Sequence, residues 1–332
     1  MPEPRMSQVK EEKVLILGGL GFIGSNLAHK LVEIGARVTI YDACLDPYGW
    51  NFANIEEISD EIEFIKGDIR DFDLLKQHVR DKDYIFHCAA QVGHVISMKD
   101  PFLDIDINCR GTMNVLEACR RRNNAVKIVY TGTRGQIGEP VYLPVDENHP
   151  DNPTDIYGVN KLAAEKYLWA YRQVYGISFV SMRLNNIYGR RAQMKHSHYA
   201  VINYFLALAM QAKTITVYGD GSQTRDFLYI DDAVDALILA AERQEANGEV
   251  FMVGSGVETK FIDMVDLVIQ TVGKGSYVNI PYPPEREKID IKRFAGSYAK
   301  FNAMLGWQPK TSLEQGIKKT LSFYETRLHQ YL

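Results

Sequence analysis

The stretch VLILGGLGFIGSNLAHKL, beginning at Val14, restricts the fold more than any other part of the chain. A short apolar run, Val14–Leu17, meets glycines at positions 18, 21 and 24 and leads into Phe22–Ile34, which has helical periodicity. Gly18 allows a tight turn, Gly21 leaves room for a ligand to approach the backbone, and Gly24 lets the helix lie close on a sheet. Phe22 and Ile23 sit at the helix start, where free N–H groups and the positive dipole end suit a pyrophosphate. The trio reads Gly-x-x-Gly-x-x-Gly, one residue longer at its first step than the commonest dinucleotide fingerprint.

The next strand-like run supports a dinucleotide site. RVTIYD ends at Asp42, where a carboxylate can accept both adenosine ribose hydroxyls and would repel a 2′-phosphate, so NAD is expected over NADP. Next come EIEFIKGD, a helical Phe72–Val79, DYIFHCAA, a long helix over Asp104–Arg122, and VKIVYTGT. Apolar runs separated by helices predict a buried parallel sheet, hence an α/β, Rossmann-type doubly wound domain. Asp68 and Ile69, after the third strand, are placed to meet an adenine, with a helix N-cap as the plainer role for Asp68.

The second half is less regular. Asp155–Tyr175 reads as a long helix and Ile177–Leu184 as a strand that rejoins the sheet. The expected division is residues 1–184, with a returning segment near 214–253, for the NAD-binding domain, and the rest of 185–332 for a smaller C-terminal α/β substrate-binding lobe. A net charge of −4 argues against nucleic acid as a partner. The N-terminal MPEPRMSQVKEEK lacks an apolar leader core, and no stretch is long enough to span a bilayer, so a soluble cytoplasmic protein is expected. Cys44, Cys88, Cys109 and Cys119 have no Cys-x-x-Cys spacing and read as free buried thiols. His196 and His198 form no metal constellation with acids or cysteines, so no metal is expected.

The chemistry is carried by DIYGVNKLAAEKY, in which Tyr157 and Lys161 share one helix face. A phenol near pKa ~10 is a poor base at neutral pH, and a neighbouring ammonium favours its phenolate. The preceding strand ends in YTGTRGQIGEP, with Thr131 and Thr133 but no acid before Glu139.

Taken together, these motifs resemble an extended short-chain dehydrogenase/reductase over nearly the whole chain. RLNNIYG, YGDGSQTRDFLYIDDAVDA and LGWQP narrow the resemblance to the NAD-dependent nucleotide-sugar epimerase/dehydratase group, and to its UDP-glucose 4-epimerase-like members. The resemblance implies Thr133, Tyr157 and Lys161 as catalytic residues. It also implies Ala89, Ala90, Gln91, Asn108, Thr131, Tyr157 and Lys161 along the cofactor, with Asn108 helping to hold the site's geometry. Asn186, Arg225 and Arg286 are implied at the sugar diphosphate. Arg190 and Arg191 follow the asparagine motif and are candidates to face a sugar or a phosphate; the plainer role for Arg225 is an ion pair with Asp226 or Asp231. The two long helices imply a homodimer interface.

Three features depart from the pattern. Leu17 stands where relatives often carry threonine, and Ile137 where many carry tyrosine. Related 4,6-dehydratases carry an Asp-Glu pair after the threonine, whereas Arg134 and Gly135 stand here. The expected reaction is therefore C4 epimerisation of a UDP-sugar through a transient 4-keto intermediate. Dehydration, decarboxylation of a uronic acid and a non-catalytic NAD-binding role are the alternatives.

Overall fold

The computed structural model describes residues 9–46 and 49–332. Residues 1–8, part of the stretch read as free of a leader core, lie outside the described residues. Strands β1 (Lys13–Leu17), β2 (Arg37–Asp42), β3 (Ile62–Lys66), β4 (Tyr84–His87), β5 (Lys127–Thr133) and β6 (Ser178–Leu184) join Val250–Val253 in one seven-stranded sheet. Every pairing in it is parallel, with β4 and β2 flanking β1.

Neighbouring residues of each strand supply opposite cores, which is why these runs are apolar without alternation. Val14, Ile16, Ile40, Phe86, Val129 and Val180 face one core, shared with helices Phe22–Glu33 and Ile230–Glu242. Leu15, Leu17, Tyr41, Ile85, Ile128 and Tyr130 face the other, shared with Thr112–Arg122 and Ile156–Tyr175. The chain reverses its direction of winding between β1 and β4, and ligands of such sheets bind at the carboxyl ends beside that point.

Of the segment expected to return to the sheet, 214–253, only Val250–Val253 does so as a strand. Thr214–Tyr218 instead pairs in parallel with Ser276–Ile280 in the second lobe. Alternation within TITVY leaves one face exposed, which suits a small surface sheet and not a central one. The helix expected over Asp104–Arg122 widens to a π-helix over Ile105–Gly111. The widened turn carries Asn108, whose amide accepts from Gln91 N–H at 3.1 Å and donates to the Gln91 carbonyl at 3.0 Å. Such bulges concentrate near functional sites. Cys109 and Cys119 are buried as expected, while Cys44 and Cys88 are only half-buried.

Residues 328–331 pack back on the first lobe. The Tyr331 hydroxyl donates to Asn54 Oδ1 at 2.8 Å, and Asn51 donates to the Gln330 carbonyl at 2.8 Å. No helix among the described residues is long and apolar enough to cross a membrane.

Candidate active site

The carboxyl ends of β1, β2, β4, β5 and β6 open into one cavity of about 750 Å³. The glycine turn forms one end, and each glycine has a different reason to be there. Gly18 takes φ +78°, and a Cβ on it would lie 2.7 Å from Ala89 N. A Cβ on Gly24 would collide with the Gly18 carbonyl, so the helix sits against its own turn. Around Gly21 a Cβ would meet only the Gly18 carbonyl oxygen, at 3.4 Å. Protein packing does not demand glycine there, but close approach by a ligand does.

Asp42 completes this end. Its carboxylate accepts from Leu20 N–H at 3.0 Å and Cys44 N–H at 2.9 Å, leaving capacity for ribose hydroxyls. Burial raises its pKa and the two backbone donors oppose that rise. Ile69, Phe22, Ile23, Ala89, Ala90 and Thr131 line the same space. Asp68 also lines it, but its carboxylate is held by Arg70 at 2.6 Å, and the helix N-cap role falls to Asp71. Gln91 does not line the cavity; it is buried, and its side chain folds onto Gly93. Gln91 and Asn108 therefore brace the loop behind the cavity wall.

Tyr157, Lys161 and Thr133 all line the cavity. Asp155 caps their helix by accepting from Gly158 N–H at 2.8 Å, so the tyrosine enters in the first turn. Burial pushes the Tyr157 phenol pKa up, and the nearby Thr133 side chain opposes that rise. Lys161 Nζ lies 4.1 Å from the centre of the Tyr130 ring. Burial pushes its pKa down to about 7, and the neighbouring Cys88 and Asp104 oppose that fall. Gln136 fixes the strand end: its Oε1 accepts from Thr133 N–H at 2.8 Å and its Nε2 donates to Glu165 at 3.0 Å. Thr131 donates to the His87 carbonyl at 3.0 Å, which orients its hydroxyl toward the sheet.

Asn186, Arg225 and Arg286 also line the cavity. Arg225 pairs with Asp290 at 2.6 Å, not with Asp226 or Asp231. Asp226 is occupied by Ser255, Gly256, Gly296 and Asn185. Arg286 stacks on Tyr218, 5.2 Å from the ring centre.

Arg191 is a correction. Its φ of +66° reverses the chain, and its guanidinium contacts Asn26, His29 and Glu57 outside the cavity lining. Arg190 likewise pairs with Asp231 at 2.9 Å. Both arginines tie the lobes together instead of facing a ligand.

A second pair at the site is not announced by the sequence. His94 Nδ1 lies 2.5 Å from Asp155 Oδ2, and its ring stands edge-on to Tyr157 with centres 5.2 Å apart. The only local signal is the capping aspartate before Tyr157, because His94 arrives from a distant loop.

A glycine turn suited to a dinucleotide and the side chains of Tyr157, Lys161 and Thr133 share one cavity, the arrangement of an NAD-dependent enzyme. The chain belongs to the NAD dependent epimerase/dehydratase family, whose model matches residues 14–254, and is an extended short-chain dehydrogenase/reductase. A UDP-glucose 4-epimerase of Mycolicibacterium smegmatis is 34% identical, covering 95% of this chain and 99% of that protein. A UDP-N-acetyl-alpha-D-glucosaminuronate decarboxylase of Bacillus cytotoxicus is 32% identical, covering 95% of this chain and 98% of that protein. Among solved structures, an epimerase of Methanothermobacter thermautotrophicus superposes with a TM-score of 0.90 at 29% identity, covering 97% of this chain and 94% of that one.

Proposed function

We propose that the chain is a nucleotide-sugar C4 epimerase acting with NAD, most specifically on a UDP-sugar. The observation that carries this reading is the end of β5. Thr133 lines the cavity there together with Tyr157, and the next two residues, Arg134 and Gly135, supply no carboxylate. Gly18, Gly21, Gly24 and Asp42 would hold the dinucleotide, which when bound supplies a reversible hydride acceptor. Tyr157 takes the proton from the sugar C4 hydroxyl and later returns it. Thr133 orients that hydroxyl, and Lys161 favours the phenolate. Asn186, Arg225 and Arg286 keep the diphosphate anchored while the 4-keto sugar turns.

Mass spectrometry and NMR of products from a panel of nucleotide sugars test this reading. A C4-inverted product is expected. Loss of CO₂ would make the enzyme a decarboxylase, and binding without turnover would leave a non-catalytic NAD-binding protein. Loss of water would make it a dehydratase and direct attention to His94, which Asp155 holds inside the cavity.

A soluble cytoplasmic homodimer belongs to the same proposal. Phe102, Ile105 and Val159 are exposed apolar residues on or beside the two long helices, which is the kind of surface a partner copy covers. Sedimentation is expected to give a dimer, and a monomer alone would refute this.

A further inference from the structure

Arg134 is a buried cation with no ion-pair partner among the described residues. Only 9% of its surface is exposed, and it lines the cavity beside Thr133 and Tyr157. Its Nε donates to Asn186 Oδ1 at 2.8 Å, and its guanidinium lies 5.5 Å from the centre of the Phe294 ring. These contacts fix the fork in place. Its Nη1 is buried without a hydrogen-bond partner among the described residues.

The nearby carboxylates are already engaged. Asp290 accepts from Arg225 at 2.6 Å and from the Tyr282 hydroxyl at 3.0 Å. Asp155 is held by His94 and by Gly158 N–H. The other buried arginines among the described residues, Arg183, Arg191 and Arg225, each have a carboxylate within ion-pair distance, and Arg134 does not. Burial and the like charge of Arg225 push the Arg134 pKa down to about 9, so the group is still a cation at neutral pH. A fixed, desolvated guanidinium with a free N–H suits an anion from outside the chain.

The position of Arg134 narrows which anion. It directly follows Thr133, the residue that meets the reacting C4 hydroxyl in the proposed reaction. The diphosphate, attached at C1, has Arg225 and Arg286 in the same cavity as its own candidate anchors. The ring substituent next to C4 that can carry charge is the one on C5. A hydroxymethyl group there would leave the guanidinium without a counter-charge, and a carboxylate would complete it.

We propose that Arg134 binds the C6 carboxylate of the sugar, so that the substrate class is a nucleoside-diphosphate hexuronic acid and not a neutral hexose. This rests on the reading of the cavity as a nucleotide-sugar site.

The test is equilibrium binding to the NAD-loaded Tyr157→Phe protein, measured by calorimetry with UDP-glucuronate, UDP-glucose and UDP. No turnover is needed, so failure of the epimerase reading, which the product panel detects, is separate from failure here. UDP-glucuronate is expected to bind about a hundredfold more tightly than UDP-glucose. Adding Arg134→Met is expected to erase that preference while UDP affinity falls far less, through the lost hydrogen bond to Asn186, and Arg134→Lys to restore part of it. If Arg134→Met does not fold, as its melting curve would show, the parent preference and the Arg134→Lys variant still decide. Equal affinities for the two sugars, no binding of UDP-glucuronate, or an equal loss of UDP affinity in Arg134→Met would each overturn the assignment. The last outcome would place the guanidinium on the diphosphate.

Discussion

Tyr157→Phe is expected to lower kcat by about a thousandfold, the upper part of the range for removal of a general base. Cofactor affinity should change little, because the glycine turn and Asp42 are untouched by the substitution. The same substitution has a signature in pH. Burial raises the phenol pKa, so the ligand-free chain holds Tyr157 protonated at neutral pH despite the nearby Thr133 side chain. The rate should therefore climb with pH as the phenol gives up its proton, level off as Lys161, pushed down to about 7, loses the charge that favours the phenolate, and lose its climbing limb in Tyr157→Phe. Steady-state rates over a pH series read both effects. A substituted enzyme with full turnover would remove Tyr157 from the mechanism.

The second large effect concerns stability. Glu165 is buried and accepts from Arg183 at 2.6 Å, Ser181 at 2.7 Å and Gln136 at 3.0 Å. Glu165→Leu would leave three buried donors short of an acceptor, although Arg183 keeps Asp151 at 2.8 Å. Breaking a buried pair from one side costs about 3–5 kcal/mol, and the remaining aspartate puts this case at the low end. Thermal melting should fall by roughly 5–10 °C. Because Gln136 also holds Thr133, activity should drop below what the lost stability alone explains. An unchanged melting temperature would show that the network contributes little.

The parts of the site legible in the sequence are those whose geometry is local. Three glycines in one turn, or a tyrosine and a lysine one helical turn apart, carry their spatial relation in their spacing. Arg191 misled because its neighbourhood depends on a single left-handed residue, which swings the side chain to a different partner. His94 and Asp155, or Arg134, Asn186 and Phe294, meet only after distant segments fold together, and no periodicity announces such meetings. The strand at Val250–Val253 is legible as an apolar run, but the half-exposed Thr214–Tyr218 belongs to a different sheet from the one expected.

The packing of residues 328–331 on Asn51 and Asn54 limits how the molecule can move. Glu57, in the same region, binds both Arg191 and Arg327, so the lobes are stitched together here. These contacts oppose a book-like opening of the lobes. The overall dimensions of the protein are therefore expected to be nearly the same with and without its ligands, which small-angle scattering would read.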